Sequence, residues 1–127
     1  MSHPKRQDIK VDVDATYIAS SSEPEAARYV FAYSITIKNV GTVEAQLLSR
    51  HWIITDSNGK VQEVHGEGVV GEQPHLQPGE SFQYTSGAVI ETSVGAMQGS
   101  YHMLDADGEK FTATIPPFSL STPRTLH

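Results

Sequence analysis

The chain has no cysteine, which excludes a disulfide framework, a thiolate-bound metal and a cysteine nucleophile together. That composition suits a reducing cytoplasm. Basic residues are also scarce: nine Lys and Arg stand against fifteen Asp and Glu, a net charge of -6. Affinity for phosphate backbones needs clustered Lys and Arg. The one basic cluster here is His3, Lys5 and Arg6, so nucleic acid is not an expected partner. Long hydrophobic runs are missing: nothing approaches the roughly 18 apolar residues of a membrane helix. The basic N-terminal residues have no apolar h-region behind them, so no secretory signal is expected. No stretch sustains a helical period either.

What remains is one domain's length, 127 residues, at 38% hydrophobic, sufficient for a single core without staples. Residues 1–7 read as a flexible terminus. From Asp8, strict alternation puts Ile9, Val11, Val13, Ala15 and Tyr17 on one face of a strand. A polar turn, Ser20 to Glu25, follows. Alternation then resumes with Tyr29, Phe31, Tyr33, Ile35 and Ile37, which predicts an antiparallel neighbour of the first strand.

After the turn at Asn39–Thr42, the run Glu44 to Asp56 alternates poorly around the single Trp52, as a bulge would cause. Ser57-Asn58-Gly59-Lys60 is a strong hairpin signal. With Asn58-Gly59 as a two-residue turn, Ser57 pairs with Lys60 and His65 falls opposite Trp52. Leu76 to Glu80 is a Pro-Gly turn leading into a strand from Ser81 to Thr85. Ile90 to Gly95 reads as a loop or crossover, and Met97 to Leu104 as a strand containing Tyr101. Asp107-Gly108 closes a hairpin onto Lys110 to Ile115, which Pro116-Pro117 is expected to end; the rest reads as a tail along an edge. About seven or eight short strands in this rhythm predict an all-β protein. The expected form is an antiparallel sandwich of immunoglobulin or fibronectin-III type, with an up-and-down barrel as alternative.

The segments ITDSNG (54–59), GEGVVGEQP (66–74), PGE-x-F-x-YTSG (78–87) and MQGSYHM (97–103) together resemble the ApaG (CorD) family, from about Ile9 to His127. The resemblance implies a bacterial cytoplasmic protein with a fibronectin-III-like sandwich, often a homodimer. It also implies an association with cobalt resistance and magnesium efflux. Related domains in eukaryotic F-box proteins, and in a protein that interacts with a DNA polymerase, look like interaction modules. The family has no established reaction.

Gly66-x-Gly68-x-x-Gly71 matches a dinucleotide-binding spacing, but Glu72-Gln73-Pro74 follows it instead of the helix such a site requires. Glu67 and Glu72 also put negative charge beside the anion. A loop needing unusual φ angles or close packing is the plainer reading. The histidines invite a metal, because imidazole suits cobalt, nickel and zinc. With the two-residue turn, however, His51 and His65 point to opposite faces, and no metal ligand is assigned. Asp105-x-Asp107-Gly108 lacks the later ligands of a calcium loop. Ser81, Thr85, Ser86, Glu63, Glu67 and Glu91 follow no catalytic pattern, so no catalytic residue and no cofactor are assigned. The expectation is a non-enzymatic interaction module whose Gly66, Gly68, Val69, Val70 and Gly71, with the neighbouring strand edges, contact a protein partner or a second copy. The alternative is a binder, with or without hydrolysis, of a nucleotide or pyrophosphate-type anion at the same loop.

Overall fold

A computed structural model describes residues 5–123. Eight strands make up almost all of it: β1 (Ile9–Tyr17), β2 (Tyr29–Asn39), β3 (Ala45–Asp56), β4 (Val61–Glu67), β5 (His75–Leu76), β6 (Ser81–Ile90), β7 (Val94–Asp105) and β8 (Lys110–Ser121). One sheet has the order β1-β2-β6; the other runs β4-β3-β7-β8, with β5 also on β3. Every pairing is antiparallel. This is a fibronectin-III-like sandwich, as expected, and not an up-and-down barrel. Among the described residues, no helix is long and apolar enough to cross a membrane.

The core follows from strand alternation. Phe31, Tyr33, Ile35 and Ile37 of β2 face Leu47, Trp52, Met97, Tyr101, Met103, Ile115 and Leu120 of the other sheet, all buried. Each such side chain contributes about 1.5–3 kcal/mol of burial. Two bulges reset the alternation. One lies between Leu47 and Ser49, so inward residues change from odd (Ala45, Leu47) to even (Trp52, Ile54, Asp56). The other sets Pro116 and Pro117 against Gln98 alone. β8 therefore does not end at Pro116-Pro117: it continues to Ser121 and buries Leu120. As an edge strand with an extra residue at the bulge, it tolerates two prolines without breaking the ladder. β6 likewise extends to Ile90, and residues 91–93 cross directly into the other sheet.

Two hairpins share one turn chemistry. Asp56 Oδ1 accepts the backbone N–H groups of Asn58 and Lys60, and Asp105 Oδ1 accepts those of Asp107 and Glu109. In each, the residue four further on accepts the Asp N–H through its carbonyl, and a glycine (Gly59 or Gly108) sits at positive φ. This is a three-residue loop with a glycine bulge, not the two-residue turn expected at Asn58-Gly59. The β3–β4 register is therefore one residue off the prediction, with Trp52 opposite Val64 and His51 opposite His65.

The N-terminal expectation also needs correction in part. Residues 1–4 lie outside the described residues, but Arg6 and Gln7 are held. Arg6 Nη1 and Gln7 Nε2 each donate to Asp105 Oδ2 at 2.8 Å, and the Arg6 carbonyl accepts from Thr42 and Val43. Arg6 also pairs with Asp107 and Glu109. Asp105, fully engaged, has no lone pairs left for the calcium reading. The Gln7 amide, the Glu109 N–H and Arg6 together outweigh burial and hold its carboxyl below the ordinary 3.8. A lowered folded value means that this stabilisation is complete above the unfolded pKa and is lost as pH falls through the folded one. The gap in Tm between the native chain and Asp105→Asn should thus be widest above the ordinary carboxylate range and should narrow as pH falls below it. A gap that widens in acid would contradict the assignment.

Candidate functional site

The glycine-rich segment leaves the end of β4 and folds into its own small hairpin. Val69 and Glu72 exchange both backbone hydrogen bonds, at 2.8 and 2.9 Å. Between them, Val70 and Gly71 stand at φ 44° and 81°, the two positive angles of a type I′ turn. Gly68, at φ 64°, lies where a Cβ would come within 2.4 Å of the Glu72 carbonyl oxygen. A Cβ on Gly66 would collide with the Arg50 guanidinium, which donates from Nη1 to the carbonyls of Glu67 and Gly68. The glycines thus serve backbone geometry and close packing.

The two valines separate. Val69 is completely buried, while Val70 is 59% exposed. The expectation of a tip offering both valines is corrected accordingly: alternation across the turn sends Val69 into the core and leaves Val70 in solvent.

Much of this loop's donor capacity is spent within the chain. The Gly68 N–H donates to Leu48, and those of Val69 and Glu72 donate to each other's carbonyls. Two cations lie nearby in sequence, Arg50 and Lys60; Arg50 reaches the loop, but it serves carbonyl oxygens. Lys60 pairs with Glu91, in the crossover that follows β6.

Behind the loop, the hydroxyls of Tyr84 and Tyr101 meet at 2.6 Å inside the core. Burial pushes Tyr84 up to about 12 and Tyr101 higher still, so both stay protonated at neutral pH. The pair bridges the two sheets and supplies no base.

Beside the loop, β4 is an edge strand. Ladder bonds from Asp56 to Lys60 and from Gly68 to Leu48 bracket it. Antiparallel bonding alternates, so Gln62, Val64 and Gly66 bond to β3. The N–H and C=O groups of Val61, Glu63 and His65 point away from the sheet. Neither proline nor lysine, two common guards of free edges, occurs between Val61 and Glu67. Val61 is 57% exposed. The sequence points to strand edges beside the loop but not to the backbone groups they free, because the register rests on the Asp56 turn; the signal available was an acid two residues before Asn58.

On the outer face of the same hairpin, the corrected register brings together what the predicted one separated. The His51 and His65 rings stack at 4.1 Å and 8°, and His51 Nε2 lies 3.2 Å from Glu63 Oε1. His75 sits apart, hydrogen-bonded to Glu44, and His102 lies on β7 opposite Ser49.

Comparison with known proteins assigns the lineage. A family model described as the ApaG domain matches residues 19–105. The chain belongs to the ApaG family. It is 60% identical to the ApaG proteins of Thiobacillus denitrificans and of Azoarcus sp., over the full length of both chains in each case. The crystal structure of the ApaA protein from Bordetella pertussis is similar at 48% identity, with a TM-score of 0.94, covering 97% of this chain and 100% of that one. A protein from Archaeoglobus fulgidus shares the fold alone, at 10% identity and a TM-score of 0.53. The family resemblance and the sandwich expected from sequence both hold.

Proposed function

We propose that this ApaG-family chain is a binding module with no reaction of its own. It captures an extended segment of a partner protein along the free edge of β4, with Val70 as an apolar contact at the end of that edge. The observation that carries this reading is Val70 itself. A β-branched residue in the left-handed region costs roughly 1–2 kcal/mol relative to glycine, and at 59% exposure it returns little to the core. Strain of this kind on an exposed turn suits a contact made with something else. The outward amides of β4 supply the strand-addition chemistry that extended peptides use. Glu63, Glu67 and Glu72 around them, in a chain of net charge -6, favour a segment that is basic as well as apolar. The role in cobalt resistance and magnesium efflux that the resemblance implies would run through that partner, in the cytoplasm.

Two substitutions separate fold from function. Val70→Gly should raise stability by about 1 kcal/mol and weaken partner binding; Val61→Lys should leave the fold intact and block the edge. The direct test is hydrogen exchange on the chain with a captured partner or with extended basic peptides. Slowed exchange at Val61, Glu63 and His65 is expected, whether the occupant is a foreign segment or a second copy. A bound partner that leaves those amides unchanged would refute the edge.

A further inference from the structure

We propose that His51, Glu63 and His65 form a site for a divalent transition cation of the zinc, cobalt or nickel class, on the outer face of the β3–β4 hairpin. Three features support it. His51 and His65 are direct cross-strand partners, and they occupy a pair not hydrogen-bonded through the backbone, the kind that brings side chains closest. Glu63 is two residues from His65 on the same strand, hence on the same face. One ligand atom from each of the three lies within 4.8 Å of the others. Ligands around a tetrahedral zinc, at about 2.0–2.2 Å from the metal, stand roughly 3.4 Å apart. Side-chain rotation alone can close that difference, since Glu63 and His65 are exposed and His51 is half-buried.

The donor set decides the class of ion. Two imidazoles and one carboxylate suit zinc, cobalt, nickel or copper, whereas magnesium and calcium take oxygen ligands in greater number. Three protein ligands leave at least one position for water or for a group from another molecule. The backbone beneath is well fixed, because Trp52 and Ile54 on either side of Ile53 are anchored in the core. The site is separate from the contact proposed above: it uses side chains on the sheet's outer face, while partner capture uses backbone groups at its edge.

The test uses the full, untagged chain with His3→Ala and His127→Ala, so that imidazoles outside the described residues do not contribute. Zinc titration by calorimetry should show one equivalent bound, and cobalt should give the visible absorption of a nitrogen- and oxygen-ligated ion. The single Trp52, next to His51 in the chain, offers a second readout by quenching with copper. Partners merely hydrogen-bonded to metal ligands are worth about 10–100-fold in affinity. Removing a ligand, as in His65→Ala or His51→Ala, should therefore weaken zinc binding by at least about 100-fold. His75→Ala and His102→Ala should leave it unchanged. His65 is exposed, so His65→Ala should keep the parent Tm without metal and lose only the rise in Tm that zinc produces. The proposal is overturned if no zinc binds at millimolar concentration, or if binding survives His65→Ala.

Discussion

Replacing Trp52 with alanine should lower stability by about 3–5 kcal/mol, a large part of the 5–15 kcal/mol typical of a domain. It should lower Tm by about 15 °C, given a few degrees per kcal/mol at this size. Trp52 is 2% exposed and lies where three rings converge: Tyr33 at 5.3 Å, Phe118 at 5.9 Å and Tyr101 at 6.5 Å. Those rings come from β2, β8 and β7, so the cavity would loosen contacts between both sheets. The indole N–H, buried without a nitrogen or oxygen acceptor, makes a further distinction. Trp52→Phe loses part of the volume but also removes that unpaired donor, so it should cost clearly less than Trp52→Ala. Chemical denaturation of both variants checks the order; equal losses would mean that the ring Phe retains does not refill the site and that the unpaired N–H carries no cost.

The second large effect should come from a polar residue. Asn39 is 1% exposed and joins three segments. Its Nδ2 donates to the carbonyls of Val43 and Leu76, and its Oδ1 accepts from the Gly41 N–H. Asn39→Ala leaves those three backbone groups without their partner, at about 1–3 kcal/mol for each that stays buried and unsatisfied; a total of about 3 kcal/mol or more is expected. Asn39→Asp is the sharper experiment. It keeps the acceptor for Gly41 but turns a carboxylate oxygen towards two carbonyl oxygens, so its folded pKa should rise above the unfolded one. A raised value means that the variant is best folded while protonated and loses stability as pH rises through the folded value. That sign is opposite to Asp105. A variant equal to the parent at pH 7 would show that the two carbonyls find other donors.

Much of this fold could be read from the sequence because side-chain alternation marks buried faces directly. β1 and β2 keep their period from end to end, and their predicted faces and pairing agree with the structure. The broken alternation of the Trp52 run announces a bulge, and one lies at Leu47–Ser49. The prediction failed at Pro116-Pro117, where an extra residue also changes parity but two prolines read as the end of a strand. The hairpin at Asn58-Gly59 failed for a related reason. Asn-Gly fits both a two-residue turn and the end of a three-residue loop, and the choice rests with Asp56, whose carboxylate captures two N–H groups. A one-residue shift moves every side chain of a strand to the other face. Hence the His51–His65 pair was invisible, although both residues were identified. The fate of Val69 turned on the same small scale, since a type I′ turn places its flanking and central residues in different surroundings.

The clasp between Arg6 and Asp105 spans 99 positions of sequence. At about 5–20 residues per second of synthesis, Arg6 is made roughly 5–20 s before its acceptor. During that interval β1 and β2 can pair, but the β7–β8 hairpin that the N-terminal segment grips does not yet exist. Closure during synthesis is therefore a late event, and the same order in refolding would give it little weight in the folding transition state. Interactions formed that late slow unfolding and leave the folding rate nearly unchanged. The clasp should act as a kinetic latch, lengthening the life of the finished sandwich without helping to find it.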